Sequence, residues 1–262
     1  MFFIDVQGTL LSDKDKSLIA GARELIEYLN LKNIPYVIIT NNTKKLDFLQ
    51  ILRQKGLLIK ENAYIDPFCV LKALMSEIFE GKTYQNIAAF GSEEFLQSLE
   101  NLGFKLDFEN PSAVLIASFD NFKFSDFAKM IALIQKGAKV IAMHETSIYK
   151  KDGFFYPGVG AIMKMLEYAC NTKYEVVGKP SLAFYKEALA LLKKQDESAE
   201  FKKITIISDD FKGDLVEAKR LGMQTKLVLS GKLSSSKGLD ESLLDGVYPS
   251  VLEILEELKC LK

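Results

Sequence analysis

The sequence predicts an α/β protein, a doubly wound parallel sheet with a smaller α/β unit inserted into it. Short apolar runs alternate with amphipathic stretches along most of the chain, as expected for strands that helices cover on both faces. Several of these runs end abruptly in acids, hydroxyls or glycine, and the carboxyl edge of such a sheet is where ligands bind. A length of 262 residues leaves room for a main domain with an insertion.

The composition argues against disorder and against several classes of partner. Hydrophobic residues make up 48% and charged residues 26% of the chain, as in ordinary globular proteins. The 34 Lys and Arg balance 35 Asp and Glu, so the bulk charge indicates neither nucleic acid nor an anionic membrane as a partner. No apolar run is long enough to span a bilayer, and the first residues lack the features of a signal peptide, so we expect no membrane association.

The cysteines point to a reducing compartment. Cys69, Cys170 and Cys260 lie far apart, show no CxxC spacing and are odd in number, which argues against both a metal site and a disulfide framework. We therefore expect a cytoplasmic protein.

The first predicted strand, residues 2–5, is an apolar run that ends in Asp5. Gly8 follows, and a glycine there lets the turn bring backbone N–H groups close to whatever Asp5 faces. The pattern predicts a buried strand that delivers Asp5 to a site at the sheet edge. An acid that caps an ordinary strand-to-helix loop would give the same pattern.

The second predicted strand, residues 35–40, follows an amphipathic helix predicted over residues 17–31. It ends in Thr40-Asn41-Asn42-Thr43, immediately before a helix predicted over residues 44–55. Helix capping would explain one or two of these side chains. The whole cluster also suits an anion, because free N–H groups and the helix dipole favour negative charge at a helix N-terminus.

The middle of the chain predicts a second, smaller α/β unit. Its predicted elements are a helix over 66–81, a strand over 86–90, a helix over 93–102, a strand over 113–117, a helix over 125–136 and a strand over 139–143. No acid or glycine turn like the one at Asp5 occurs among them. We therefore expect a core domain of residues 1–81 and 175–262 and an inserted domain of residues 82–174.

His144, just after the last strand of the insertion, is the only histidine in the chain. A metal site built on several histidines is therefore excluded. The default expectation is a loop position or a hydrogen-bonded structural role. Lining a substrate cleft, together with nearby Thr146, is the alternative.

Lys179 stands where another helix is expected to begin. It lies in Val176-Val177-Gly178-Lys179-Pro180-Ser181, ahead of an amphipathic helix predicted over residues 182–194, and Pro180 suits the first turn of that helix. A lysine beside a helix N-terminus can contribute to an anion site. Most lysines next to a proline are simply solvated surface charges.

Acids cluster after the strand predicted over residues 204–207. Asp209, Asp210 and Asp214 follow it closely, and three acids at one strand end are costly unless a cation neutralises them. Oxygen-only clusters favour Mg²⁺ over zinc. A polar loop capped by acids is the alternative. A strand over 225–229 and a helix over 250–261 complete the chain.

The four strand ends, in the order Asp5, Thr40, Lys179 and Asp209, resemble the four motifs of the haloacid dehalogenase-like superfamily. The resemblance rests on FIDVQGTL at residues 3–10, IITNNT at 38–43, VGKPS at 177–181 and IISDDFKGD at 206–214, and it covers nearly the whole chain. The long insertion, the GKP form of the third motif and the tail with VLSG and then YPS resemble the branch with a type IIA cap. That branch includes phosphatases of nucleotides, nitrophenyl phosphate, pyridoxal phosphate and phosphoglycolate.

The resemblance implies a role for each motif. Asp5 would be the nucleophile that takes the phosphoryl group, Thr40 and Asn41 would hold its oxygens, and Lys179 would neutralise charge. Asp5 and Asp209 would bind Mg²⁺ together with the backbone carbonyl of Gln7. Asp214 and Asp210 would support the metal site from behind its ligands. The insertion would be a cap that closes over the site and chooses the leaving group.

Gln7 departs from the family pattern. Phosphatases of the family carry a second aspartate there, which protonates the leaving oxygen and then activates water. An amide can do neither at neutral pH, and loss of a general acid–base typically costs about a hundred- to ten-thousand-fold in rate. The metal site should survive, because this residue gives the metal only its carbonyl.

Two functions follow from these residues. The first is a Mg²⁺-dependent phosphatase of small phosphorylated metabolites, slowed by Gln7. Such a phosphatase could form a homodimer through the cap. The alternative is a protein of the same fold that binds a phosphorylated ligand without useful turnover. A nucleotide-sugar or dinucleotide oxidoreductase is a weak third option, because no GxGxxG follows the first strand.

Overall fold

The computed structural model describes residues 1–78, 86–151 and 153–260 of the chain. These residues form two compact units. The first unit comprises Met1–Thr40, Asp47–Ile65 and the described residues from Tyr185 onward. The second comprises Asn41–Leu46 and the described residues between Asp66 and Phe184.

The described part of the first unit contains a six-stranded sheet in which every neighbouring pair of strands is parallel. Its strands are β1 (Phe2–Asp5), β2 (Tyr36–Ile39), β3 (Tyr64–Ile65), β11 (Thr205–Ser208), β12 (Gln224–Val228) and β13 (Gly246–Tyr248). They run in the order β13-β12-β11-β1-β2-β3, so β1 lies inside the sheet. This arrangement confirms the predicted fold class.

Helices cover this sheet, which is why β1 and β2 are almost continuous apolar runs instead of alternating ones. The helices are α1 (Ala22–Leu31), α2 (Phe48–Gln54), most of α7 (Leu182–Lys193), α8 (Val216–Arg220) and α9 (Val251–Cys260). Helical spacing places Leu25, Ile26 and Leu29 of α1 on one face, and all three are buried in the same core as Ile4 of β1. The phenol ring of Tyr185 stacks on Phe3, with ring centroids 6.3 Å apart.

Helix α1 begins at Ala22, not at the predicted residue 17, because the preceding residues form another structure. Leu11 and Leu18 pair as an isolated antiparallel bridge, and the Ser12 N–H donates to the Ser17 carbonyl at 2.9 Å. Gly21, with φ of +83°, then turns the chain into the helix. Apolar spacing alone could not distinguish this turn from a first helical turn.

The described part of the second unit contains a five-stranded parallel sheet in the order β10-β7-β6-β4-β5. Its strands are β4 (Asn86–Phe90), β5 (Lys105–Leu106), β6 (Ala113–Ile116), β7 (Lys139–Ala142) and β10 (Glu175–Val176). The accompanying helices are α3 (Pro67–Ile78), α4 (Glu93–Asn101), α5 (Phe124–Gln135) and α6 (Val159–Cys170). Val114, Leu133, Val140 and Met163 lie in the core that these elements share.

The sequence reading missed α6 and the antiparallel hairpin of β8 (Ile148–Lys151) and β9 (Phe154–Pro157). The signal for the helix was present, since Val159, Ile162 and Leu166 are buried at helical spacing. β3, β5, β10 and β13, of only two or three residues each, were also missed, because runs this short carry no readable periodicity.

Three predicted positions lie outside the described residues: the helix ends at Gly81 and Leu261, and the domain boundary at residues 81 and 82. The division into a core of 1–81 and 175–262 and a cap of 82–174 stays a prediction. Along the described chain, no helix is long and apolar enough to cross a membrane.

Candidate functional site

Two acids meet at the carboxyl ends of the neighbouring strands β1 and β11. These strands are parallel and in register, with Ile4 opposite Ile207, so Asp5 and the start of the loop at Asp209 reach the same edge of the sheet. Both acids are buried, with 5% of Asp5 and 1% of Asp209 exposed. The two acids that the sequence predicts at the sheet edge therefore meet within the first unit.

Thr9 links the two acids. Its hydroxyl donates to Asp5 Oδ2 at 3.4 Å and accepts the Asp209 backbone N–H at 3.1 Å. The residue is fully buried, so both groups meet it away from water. Thr9 lies inside the first motif, yet the sequence reading gave it no role, because its contacts depend on how β1 and β11 pair.

Two glycines leave room for the Asp209 carboxylate. A Cβ on Gly8 or on Gly231 would lie 2.1 Å from Asp209 Oδ2, which is far inside van der Waals contact. Gly8 also has φ of +74°, a conformation that other residues rarely adopt. A side chain at either position would displace the carboxylate.

The loop after β12 closes around these groups. The Ser230 hydroxyl donates to the Gly8 carbonyl at 2.7 Å, and the Lys232 N–H donates to Asp209 Oδ2 at 2.7 Å. The Lys232 ammonium forms an ion pair with Asp210. Neither Ser230 nor Lys232 was predicted as a site residue, because their contacts with Gly8, Asp209 and Asp210 join separate loops that meet only in the folded sheet.

Burial and charge shift the pKa values of this cluster. Burial raises the pKa of Asp209 well above its usual range, and the nearby Asp5 carboxylate raises it further, whereas the Lys232 N–H opposes the shift. Burial acts to lower the pKa of Lys232, but the charge and hydrogen bond of Asp210, together with the charges of Asp209 and Asp214, outweigh burial and raise that pKa. A bound cation would relieve the repulsion between Asp5 and Asp209.

The donor atoms suit Mg²⁺. Asp5 and Asp209 offer carboxylate oxygens, and the backbone carbonyl of Gln7 lies in the same turn. No group of three or more His, Cys, Asp or Glu side chains among residues 1–78, 86–151 and 153–260 is arranged to hold a metal. An ion held by two carboxylates would keep several waters, as Mg²⁺ commonly does.

Gln7 and Thr40 contact each other beside the acids. The Thr40 hydroxyl at the end of β2 donates to the Gln7 amide oxygen at 3.0 Å. Thr40 is fully buried, whereas Gln7 is partly exposed. The side chain in the position of the family's acid–base group is thus hydrogen-bonded to the predicted phosphate-binding hydroxyl.

Asp214 and Asp210 brace the end of β11. The Ser208 hydroxyl donates to Asp214 Oδ2 at 2.6 Å and accepts the Asp210 N–H at 3.1 Å. Asp210 accepts the Gly213 N–H at 2.9 Å and so caps a π-helical turn over Phe211–Leu215. Ser208 was not predicted, although it is the strand residue next to the acids.

Within the second unit, Asn41 holds the backbone of Lys179. Its side-chain oxygen accepts the Lys179 N–H at 2.8 Å, and its side-chain nitrogen donates to the Lys179 carbonyl at 3.3 Å. Only 3% of Lys179 is exposed, so it is not a solvated surface lysine. The expectation that Pro180 occupies the first helical turn is wrong, because α7 begins at Leu182 and Pro180 lies in the turn before it.

His144, also in the second unit, is buried and hydrogen-bonded. Its Nδ1 accepts the Thr146 N–H at 3.3 Å, and its Nε2 lies 3.0 Å from the Ser118 hydroxyl. Because Nδ1 is an acceptor, the neutral ring carries its proton on Nε2 and donates to Ser118. Ser118 was not predicted. These contacts give His144 a structural partner on each ring nitrogen, and its role and that of Thr146 in substrate binding stay predictions.

Comparisons with known proteins agree with this geometry. A family model described as haloacid dehalogenase-like hydrolase matches residues 2–105, and a second, described as HAD-hydrolase-like, matches residues 176–254. Together the two models match more than half of the chain. The first match contains Asp5 and Thr40, and the second contains Lys179 and Asp209.

Individual relatives extend over almost the whole chain. Phospholysine phosphohistidine inorganic pyrophosphate phosphatase of Bos taurus is 27% identical, over 97% of this chain and 92% of the relative. Acid sugar phosphatase of Staphylococcus haemolyticus is 27% identical, over 88% of this chain and 85% of the relative. The crystal structure of 4-nitrophenylphosphatase from Thermotoga maritima superposes with a TM-score of 0.80 at 24% identity, covering 97% of this chain and 95% of that one. At this identity the structural likeness shows a common fold.

Proposed function

The chain belongs to the haloacid dehalogenase-like hydrolases, and on that premise we propose that it is a Mg²⁺-dependent phosphatase of small phosphorylated metabolites. The observation that carries the proposal is the pairing of Asp5 with Asp209. Two buried carboxylates at the ends of adjacent strands, joined through Thr9, destabilise the fold, so their presence indicates a function. The two relatives described above are named as phosphatases, which supports the same activity.

Asp5 is the proposed nucleophile. One of its carboxylate oxygens attacks the phosphorus, the bond between phosphorus and the ester oxygen breaks, and the leaving oxygen departs with the electron pair and takes a proton from water. The product is an aspartyl phosphate on Asp5. Phosphoryl transfer has a loose transition state, so the protein contributes mainly positioning and charge neutralisation.

Water completes the reaction. Its oxygen attacks the phosphorus of the aspartyl phosphate, the bond to the Asp5 oxygen breaks, and inorganic phosphate leaves with the carboxylate restored. The attacking water passes one proton to solvent water in this step. The Gln7 amide cannot accept it, so we propose that this second step limits turnover.

The other predicted residues receive their roles from the motifs. Thr40 and Asn41 are proposed to donate to the phosphoryl oxygens, and Lys179 to neutralise their charge. Asp5, Asp209 and the Gln7 carbonyl are proposed to hold Mg²⁺, which when bound would offset the negative charge of the phosphoryl group and of the acids. Ser208 and Asp214 fix the end of the strand that carries Asp209.

Gln7 narrows the proposed substrates. A leaving group that is already stable as an anion, or that already carries its proton, needs no acid from the enzyme. Aryl phosphates and phosphorus–nitrogen compounds meet this condition, whereas alkyl phosphates do not. The similarity to a phospholysine phosphohistidine inorganic pyrophosphate phosphatase supports phosphorus–nitrogen substrates, whereas the similar acid sugar phosphatase is named for an alkyl phosphate.

A panel of substrates tests the proposal. Nitrophenyl phosphate, a phosphoramidate and an alkyl phosphate would be offered at equal concentration with Mg²⁺, to the parent chain and to Asp5→Asn. We expect phosphate release from the first two substrates by the parent and none by Asp5→Asn. Equal residual rates in both proteins would contradict the phosphatase, and ligand binding without turnover would then be the better account.

Three further expectations stay predictions. They are the cap role of residues 82–174 in choosing the substrate, a homodimer formed through that cap, and a cytoplasmic location. Sedimentation of the full chain at several concentrations would test the dimer. Deletion or exchange of the cap, read out as a changed order of substrates on the panel, would test its role.

A further inference from the structure

The loop of Ser230, Gly231 and Lys232 places a positive charge beside the acids of the first unit. Its backbone is anchored, since Ser230 donates to the Gly8 carbonyl and the Lys232 N–H donates to Asp209. The Lys232 side chain then turns to Asp210, with which its ammonium group forms an ion pair. One residue thus contacts two neighbouring acids, one through its backbone and one through its charge.

The Lys232 ammonium is not part of a buried core. Its side chain is 39% exposed, whereas the Asp210 side chain is 17% exposed and Asp209 is almost fully buried. A partly exposed lysine keeps its stem along the protein and can exchange its ion pair for water at little cost. Its charge nevertheless acts on every ion that approaches Asp209.

We propose that Lys232 is a positioning residue that serves as an internal counter-ion of the neighbouring acids Asp209 and Asp210 and that thereby weakens Mg²⁺ binding. The inference rests on the proposed Mg²⁺ site. In the metal-free protein the ammonium offsets repulsion among the acids and stabilises the fold. When a divalent cation binds, the same ammonium becomes a like charge nearby and opposes it.

The expected size of the effect follows from Coulomb's law. In a solvent-like dielectric, a unit charge several ångströms from a divalent ion changes the affinity for that ion by about three- to tenfold. Because the group is partly exposed, salt should screen the effect, and about 1 M NaCl should remove most of it.

Lys232→Met tests the inference, because Met keeps an unbranched apolar stem without the charge. Lys237→Met, at an exposed lysine of the same loop region, is the matched control, and Lys232→Arg keeps the charge. For each protein, the Mg²⁺ dissociation constant would be measured by calorimetry at low and high salt. The melting temperature would be measured in EDTA.

The inference predicts opposite signs for the two readouts. Lys232→Met should bind Mg²⁺ about three- to tenfold more tightly at low salt while melting at a lower temperature in EDTA, and the other two variants should resemble the parent. A purely structural role would weaken both properties together, so unchanged or weaker Mg²⁺ binding in Lys232→Met overturns the inference alone. Absence of Mg²⁺ binding by the parent overturns the proposed metal site and the inference with it.

Discussion

The Thr40 hydroxyl donates a hydrogen bond to the Gln7 amide oxygen at 3.0 Å. Gln7 stands where the family's phosphatases carry an acid–base aspartate, and Thr40 stands where they bind phosphate. The hydrogen bond therefore joins Gln7, which departs from the family pattern, to Thr40, which matches that pattern. An amide in this position can orient a neighbour by hydrogen bonding, although it cannot transfer a proton at neutral pH.

Thr40→Val should reduce activity more than stability. Without the hydroxyl, residue 40 could not turn from Gln7 to donate to a phosphoryl oxygen of the bound substrate. Hydrogen bonds to charged groups contribute about 1.5–3 kcal/mol, so kcat/KM should fall about ten- to a hundredfold. The free energy of unfolding should fall by less than ~1 kcal/mol, because partly exposed Gln7 can bond to water instead. Kinetics on nitrophenyl phosphate and urea unfolding measure the two quantities.

Thr40→Ser is the control for that experiment, since it keeps the hydroxyl. It should retain most of the activity. Equal losses in the Val and Ser variants would show that the methyl group, and not the hydrogen bond, matters at this position.

Thr9→Val should destabilise the fold and impair the site together. It removes the hydroxyl that joins Asp5 to the Asp209 N–H, and leaving buried polar groups unsatisfied costs about 1–3 kcal/mol. Urea unfolding in EDTA should report this loss, with Thr9→Ser losing less. If Thr9→Val were as stable as the parent, the bridge would have no energetic role.

Asp209→Asn should change the response of the fold to Mg²⁺. In EDTA the variant should melt at a higher temperature than the parent, because it removes a charge that burial disfavours and that Asp5 repels. Added Mg²⁺ should raise the melting temperature of the parent by mass action. At a Mg²⁺ concentration about a hundredfold above the dissociation constant, the free energy of unfolding should rise by about 2.7 kcal/mol. The melting temperature of the variant should hardly change. A parent that does not respond to Mg²⁺ would argue against the site.

Much of this site was predictable because the fold brings strand ends together. Once residues 2–5 and 204–207 were read as parallel strands, Asp5 and Asp209 had to reach one edge, and β1 pairs with β11 as that requires. Most helices were found from their apolar spacing, but α1 starts later than predicted, because an isolated bridge between Leu11 and Leu18 depends on pairing that periodicity does not encode.

The supporting residues could not be predicted for a different reason. Ser230 and Lys232 lie more than two hundred residues from Gly8 in the chain, and their contacts with Gly8 and Asp209 exist only after β12 has joined the sheet. Thr9 was visible inside the first motif, but a hydroxyl next to an acid has many common roles. Geometry was needed to identify it as the link between two strands.

We propose that Asp5 forms an aspartyl phosphate whose hydrolysis is slow because Gln7 replaces an acid–base group. Rapid mixing of the enzyme with nitrophenyl phosphate and Mg²⁺, followed by acid quench, tests it most directly. We expect a burst of nitrophenol close to one equivalent of enzyme, then a slow steady state, and a covalent phosphate on Asp5. Gln7→Asp should abolish the burst and raise turnover about a hundredfold or more. Absence of a burst and of covalent phosphate, with the same steady-state rate in Gln7→Asp and in Asp5→Asn, would contradict the account.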